Sequence, residues 1–132
     1  MQDAIAHIQV LTTPVQDYIG KLKKITGDRK YVVFYGCGMI LNSIIESWNN
    51  YTGIKIDFLC DSNPAKWHTM IHGIQCISPD ELTRIKDETA VFITTGALLE
   101  VYDFLQKRDF PSVFPIYKYD MKSSPIVCGS DI

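Results

Sequence analysis

Two glycines one residue apart, Gly36-Cys37-Gly38, follow the apolar run Tyr31 to Tyr35 and precede an amphipathic stretch that begins at Met39. The chemistry open to such a junction is anion binding. Glycine lets a backbone approach a ligand closely, and the unpaired amides of a helix start favour a phosphate. In the full dinucleotide-binding pattern a third glycine lets the helix pack tightly on the strand, but Leu41 stands at that place. The same Gly-x-Gly also suits a plain strand-to-helix turn that needs small residues, and both readings stay open. A second polar group, Asp61-Ser62-Asn63, closes the next apolar run 23 positions after Gly38. That is near the roughly 20-residue offset at which a carboxylate grips a ribose. Thr94, Thr95 and Gly96 end a third run, where an open parallel sheet places its ligands; capping of the following helix explains them equally well.

Other constellations point to catalysis less well. Tyr51 and Lys55 have a Tyr-x-x-x-Lys spacing, but Gly53 interrupts the helix that would put the ammonium beside the phenol. His68 and His72 are four apart, as two metal ligands on one helix would be, yet Gly73 ends that stretch and no third ligand is spaced to complete a site. Cys37 lies at a helix start, where a thiol can become acidic, but no base adjoins it in sequence and a small residue filling a tight turn is the simpler reading. The four cysteines, Cys37, Cys60, Cys76 and Cys128, show no Cys-x-x-Cys spacing and read as reduced, buried thiols rather than a disulfide or zinc framework.

The elements that must position these residues follow from periodicity. Residues 2 to 11 read as a weak helix; Thr13-Pro14-Val15-Gln16 then caps a second one, with Val15, Tyr18, Ile19, Leu22 and Ile25 on one stripe and Gly27 with Asp28 as its end. After the glycine loop, Leu41, Ile44, Ile45 and Trp48 form a core stripe that Gly53 stops. Strands are expected over residues 31 to 35, 54 to 60, 74 to 77, 90 to 95 and 113 to 116. A single helical turn is expected from Pro64 through Trp67, and helices from the capping signal Ser78-Pro79-Asp80-Glu81 to about Lys86 and from Ala97 to about Arg108. Strand-helix alternation of this kind implies a three-layer α/β domain with a parallel sheet of about five strands in the order 3-2-1-4-5. Residues 1–28 form an N-terminal helical extension in this reading, 29–117 the domain, and 118–132 a tail or linker.

Composition narrows the function. The chain has 132 residues with 46% hydrophobic content and net charge −2, enough for one ordinary core and without the basic surface that nucleic acid requires. The Lys21, Lys23, Lys24 group falls at a helix end, where cations suit the dipole. No apolar run approaches the roughly 20 residues of a membrane span, and the expected location is cytoplasmic.

Three strings taken together resemble a known family: Gly36-Cys37-Gly38, Asp61-Ser62-Asn63-Pro64-Ala65-Lys66-Trp67, and Gly73-Ile74-Gln75-Cys76-Ile77-Ser78-Pro79-Asp80-Glu81-Leu82, followed by the strand Val91 to Thr95. They are similar to the Rossmann-like domain that precedes bacterial sugar acetyltransferases and is fused to glycan-related glycosyltransferases and methyltransferases. The likeness covers about residues 30 to 117. It implies a nucleotide or nucleotide-sugar held with Gly36, Cys37 and Gly38 at the diphosphate and Asp61 with Ser62 or Asn63 at ribose or base. It also implies a fused or associated catalytic domain from surface-glycan biosynthesis as partner. Self-association is a further partner class, to be sought if the stripe from Val15 to Ile25 proves exposed. The chain departs from the family at Leu41 and at His68, where relatives often carry a small residue or glycine. The reading is a binding module more than a self-sufficient enzyme, with a nucleoside diphosphate or nucleotide-sugar as ligand. Its alternatives are an NAD(P)-dependent oxidoreductase or epimerase fragment, and a structural domain whose ligand site has degenerated.

Overall fold

β1 (Tyr31–Tyr35) is the centre of the sheet, and its residues explain why: Val32 and Phe34 enter one hydrophobic cluster while Val33 and Tyr35 enter another, so both faces are buried. The computed structural model describes residues 19–116. The weak helix expected at 2 to 11, Val15, Tyr18, Cys128 and the tail lie outside the described residues. After a helix α1 at 19–27 and β1 come α2 (Met39–Thr52), β2 (Phe58–Cys60), a 3-10 turn (Pro64–Lys66), β3 (Met70–Ile71), β4 (Ile74–Ile77) and α3 (Pro79–Arg84). A second 3-10 turn (Lys86–Glu88), β5 (Thr89–Ile93), α4 (Leu98–Lys107) and β6 (Val113–Pro115) complete them.

The strands lie in the order β3-β4-β2-β1-β5-β6. The five that the apolar runs foretell are parallel and keep the expected order, with Tyr35 level with Cys60 on one side and Ile93 on the other. β3 is additional. It pairs antiparallel with β4 through a turn in which His72 and Gly73 both have positive φ (53° and 76°), the backbone of a two-residue hairpin.

One cluster lies on the α1 and α2 side and is centred on Trp48, whose ring meets Phe34 at 4.8 Å and Phe92 at 4.9 Å. The indole N–H donates to Ile54 O at 2.8 Å, so this large side chain is buried without an orphaned donor. Leu41 is fully buried in the same cluster, so α2 rests on a side chain where the glycine pattern would bring bare backbone. Leu22 of α1 is fully buried there too, with Ile25 packed against it. On the opposite side α3 and α4 supply Leu82, Val101 and Leu105 against Val33, Val91 and Ile93.

Three boundaries differ from expectation by two residues or more. β2 begins at Phe58 rather than residue 54. The Asp57 carboxylate accepts the Val32 N–H at 2.8 Å where a longer strand would offer a backbone carbonyl, while the Asp57 N–H still donates to Val32 O at 2.8 Å. α3 stops at Arg84, and Lys86 belongs to the 3-10 turn. β5 ends at Ile93; the Thr94 N–H still donates to Tyr35 O at 2.8 Å, and Thr95 belongs to the loop. The Ser78 capping box forms as read, with Glu81 N–H on Ser78 Oγ (3.1 Å) and Ser78 N–H on Glu81 Oε1 (3.0 Å). The same Glu81 oxygen meets His68 Nε2 at 2.7 Å, which ties the approach to β3 to α3.

Two expectations follow. Leu22→Ala should destabilise the chain by about 2 to 5 kcal/mol in urea unfolding, the range for a buried leucine, whereas a loss under about 0.5 kcal/mol would mean that α1 does not pack in solution. The Ser78 amide, and after it His68, hold the Glu81 carboxyl below its ordinary value of 4.5. A carboxylate depressed in this way adds stability above its unfolded pKa and loses it as pH falls through the folded one. The urea midpoint should therefore drop on acidification below about pH 4.5, and drop less in Glu81→Gln; equal slopes in both proteins would refute the assignment.

Candidate functional site

The exits of β1, β2 and β5 meet at one edge of the sheet, and Asp61 is the residue that joins them. Its Oδ2 accepts the Cys37 N–H at 2.9 Å and its Oδ1 accepts the Asn63 N–H at 2.8 Å. The turn beyond is closed by Trp67 Nε1 donating to Asp61 O at 2.7 Å and by the Asn63 side chain accepting from Ala65 N–H at 3.1 Å. Pro64 starts the 3-10 turn, and this folds Lys66 back over the glycine loop, where its ammonium donates to Cys37 O at 3.1 Å and lies 3.9 Å from Asp61 Oδ2.

The three loop residues do different work. Gly36 is buried with φ +124°, its N–H donates to Cys60 O at 2.8 Å, and its carbonyl accepts the Thr94 hydroxyl at 2.7 Å. A Cβ there would stand 2.7 Å from Thr94 O, so only glycine fits. The Cys37 amide is committed to Asp61. Gly38 is exposed, a Cβ on it would meet nothing within 4 Å, and its N–H makes no hydrogen bond to another described residue. The amides left free for an anion are therefore those of Gly38 and the first turn of α2, and Lys66 is the cation beside them.

Asp61 is mostly covered, its side chain 16% exposed. Each carboxylate oxygen keeps a second lone pair after accepting its amide, which is what a ribose hydroxyl needs. Two clefts meet at Asp61 and Thr95. One, about 430 Å³, runs along Cys37, Gly38, Met39, Ile40, Lys66, Thr94 and Gly96. The other, about 490 Å³, opens on the α4 side between Tyr35, Ser62, Pro79, Glu100, Val101 and Phe104. In the second, the Tyr35 and Ser62 hydroxyls bond each other at 2.8 Å, and burial pushes the phenol up to about 12.

The sequence candidates thus largely converge. Gly36, Cys37, Gly38, Asp61, Ser62, Thr94, Thr95 and Gly96 line one cleft or the other. Thr94 does so as a buried strut, since its hydroxyl is spent on Gly36. Asn63 lines neither and shapes the turn. Lys66 was legible only as one letter of the Asp61 to Trp67 string. Tyr35, Glu100 and Phe104 carried no signal, because they sit on a strand and a helix whose periodicity speaks of core. Burial pushes the Cys37 thiol up to about 12, against a nucleophile, and raises Cys60 and Cys76 as well; all three are free. His68 and His72 diverge, the second bonding Asn42 Oδ1 at 2.6 Å. Among the described residues no helix is long and apolar enough to cross a membrane, and no cluster of three metal-ligating side chains forms.

No family model matches the chain, and no curated protein matches it. Solved structures do. UDP-D-quinovosamine 4-dehydrogenase from Vibrio fischeri is similar at 20% identity, with 78% of this chain and 97% of that one covered and a TM-score of 0.52. The Rex-family repressor RSP is similar in its complex with β-NADH (18% identity, 77% of this chain and 53% of that one, TM-score 0.49) and without it (19%, 76% and 52%, TM-score 0.48). The chain spans about half the length of those repressor chains. The fold is Rossmann-like, a three-layer arrangement with a mostly parallel sheet.

The two glycines should separate cleanly on mutation. Gly36→Ala should destabilise the fold by roughly 1 to 3 kcal/mol through overpacking and a left-sided φ. Gly38→Ala should stay within about 0.5 kcal/mol of wild type. Equal losses in thermal unfolding would contradict the distinct roles.

Proposed function

We propose that the chain is a nucleotide-binding module that holds a nucleoside diphosphate or nucleotide-sugar across this edge and presents it to a catalytic partner. The observation that carries the reading is the single crevice in which uncommitted α2 amides, the Lys66 ammonium and the Asp61 carboxylate follow one another. Amides and ammonium suit the diphosphate, the carboxylate suits ribose hydroxyls, and the α4-side cleft receives the base. The assignment of the partner to surface-glycan transferases rests on the sequence resemblance through Asp61 to Trp67 and Gly73 to Leu82. A second reading, a nicotinamide dinucleotide in an oxidoreductase assembly, is favoured by the extent of the crevice, which continues on both sides of Asp61.

Calorimetry with UDP, GDP, a UDP-sugar and NAD tests the proposal. A ligand present at a hundred times its Kd should also stabilise the fold by about 2.7 kcal/mol. Lys66→Met should weaken the best ligand by roughly 1.5 to 3 kcal/mol, the worth of a hydrogen bond to a charged group, and Asp61→Ala by roughly 1 to 3 kcal/mol. Gly38→Val should abolish binding while leaving the fold intact, because that Cβ position is open. Affinity unchanged in Gly38→Val and Lys66→Met would put the ligand elsewhere, and no binding by any of the four compounds would leave a structural scaffold.

A further inference from the structure

Resting on the nucleotide reading, we infer that Glu100 selects the base, favouring one whose pairing edge carries amino and imino donors, guanine foremost, and rejecting uracil. With the diphosphate beside Gly38 and Lys66 and the ribose at Asp61, the base must enter the cleft on the far side of Asp61. Phe104, Val101 and Pro79 line that cleft with apolar surface against which a flat ring can lie. The Tyr35 and Ser62 hydroxyls bond each other, which leaves one O–H of the pair to meet a ring carbonyl such as guanine O6. Glu100, in the first turn of α4, makes no ion pair with another described residue. No lysine or arginine lines the cleft, and the nearby Arg108 is stacked 3.7 Å over the Phe104 ring.

A carboxylate is acceptor-only, so the base has to bring the N–H groups. Guanine offers two adjacent donors, N1–H and the N2 amine, which match the two carboxylate oxygens at once. Adenine and cytosine offer one amine each. Uracil offers a single N3–H between two carbonyl oxygens, and those oxygens face the carboxylate with like partial charge. A bidentate pair of this kind discriminates by about tenfold or more.

The test is titration calorimetry of the chain and of Glu100→Gln with GDP, ADP, CDP and UDP. Glu100 is exposed, so the variant should fold. Wild type should bind GDP about tenfold or more tightly than UDP, and Glu100→Gln should bring the two close together, since its amide offers one donor and one acceptor. Nucleotide binding with UDP equal to or tighter than GDP, or with a GDP preference that Glu100→Gln leaves intact, would overturn the role of Glu100 and leave the nucleotide reading standing. Failure of all four nucleotides to bind wild type would overturn both.

Discussion

The Asp61 carboxylate accepts one amide from the loop after β1 and one from its own turn, and the shape of the whole edge follows from that bridge. Unsatisfied, the Cys37 N–H would be a partly buried donor without a partner, at a cost of about 1 to 3 kcal/mol. Satisfied, it fixes the glycine loop against β2, and Gly36 is held from both sides by Cys60 and Thr94. The carboxylate is thus structural before it is anything else. Whatever it offers a ribose is what remains after the loop has been built, and this is why a side chain so well placed for a ligand is only 16% exposed.

The core lets this edge do without the third glycine. α2 sits on Leu41, Ile44 and Trp48, a thick apolar layer, and the aromatic contacts of Trp48 with Phe34 and Phe92 tie it to the two central strands. Leu22 and Ile25 of α1 join the same layer, as do Phe114 of the outer strand and Ile116 just beyond it. Helix start and strand end are therefore spaced by side chains, and the loop between them keeps its conformation through Asp61 and Lys66 instead of through close backbone packing.

Most of the architecture was legible because it is written in short-range patterns: β1, β5 and β6 are apolar runs, Gly53 stops α2 in the left-handed conformation, and Ser78-Pro79-Asp80-Glu81 is a complete capping box. The misreadings come from interactions between residues distant in sequence. Residues 54 to 57 look like strand, and only the Asp57 carboxylate reaching Val32 reveals why they are not. β3 is two residues long and exists because His72 and Gly73 turn it onto β4. The departure at His68 has a backbone cause: its φ is +63°, a conformation natural to glycine, and the histidine that adopts it gains the Glu81 contact. In the site, the glycine loop and Asp61 announce themselves by spacing. Lys66 does not, since its arrival at the loop depends on the 3-10 turn that Pro64 begins.

The two halves of the crevice carry side chains of opposite sign, and under the proposed reading that difference would orient a ligand with one charged end. Both clefts carry a helix start, that of α2 and that of α4, but the α2 cleft adds the Lys66 ammonium whereas the α4-side cleft has Glu100 in the first turn of its helix and no lining cation. Asp61 stands at the junction with both oxygens already engaged by amides and an ammonium 3.9 Å away, so it adds little repulsion toward the α2 side. A phosphate entering the α4-side cleft would meet Glu100 and lose the α2 amides; a neutral ring entering the α2 cleft would displace water from polar groups it cannot replace. Each error costs polar partners in a partly covered site, where water compensates less than at an open surface. Asp61 and Lys66 are held in place by their hydrogen bonds at the β2 exit, and α4, which follows the β5 exit, carries Glu100 to the other side of Asp61.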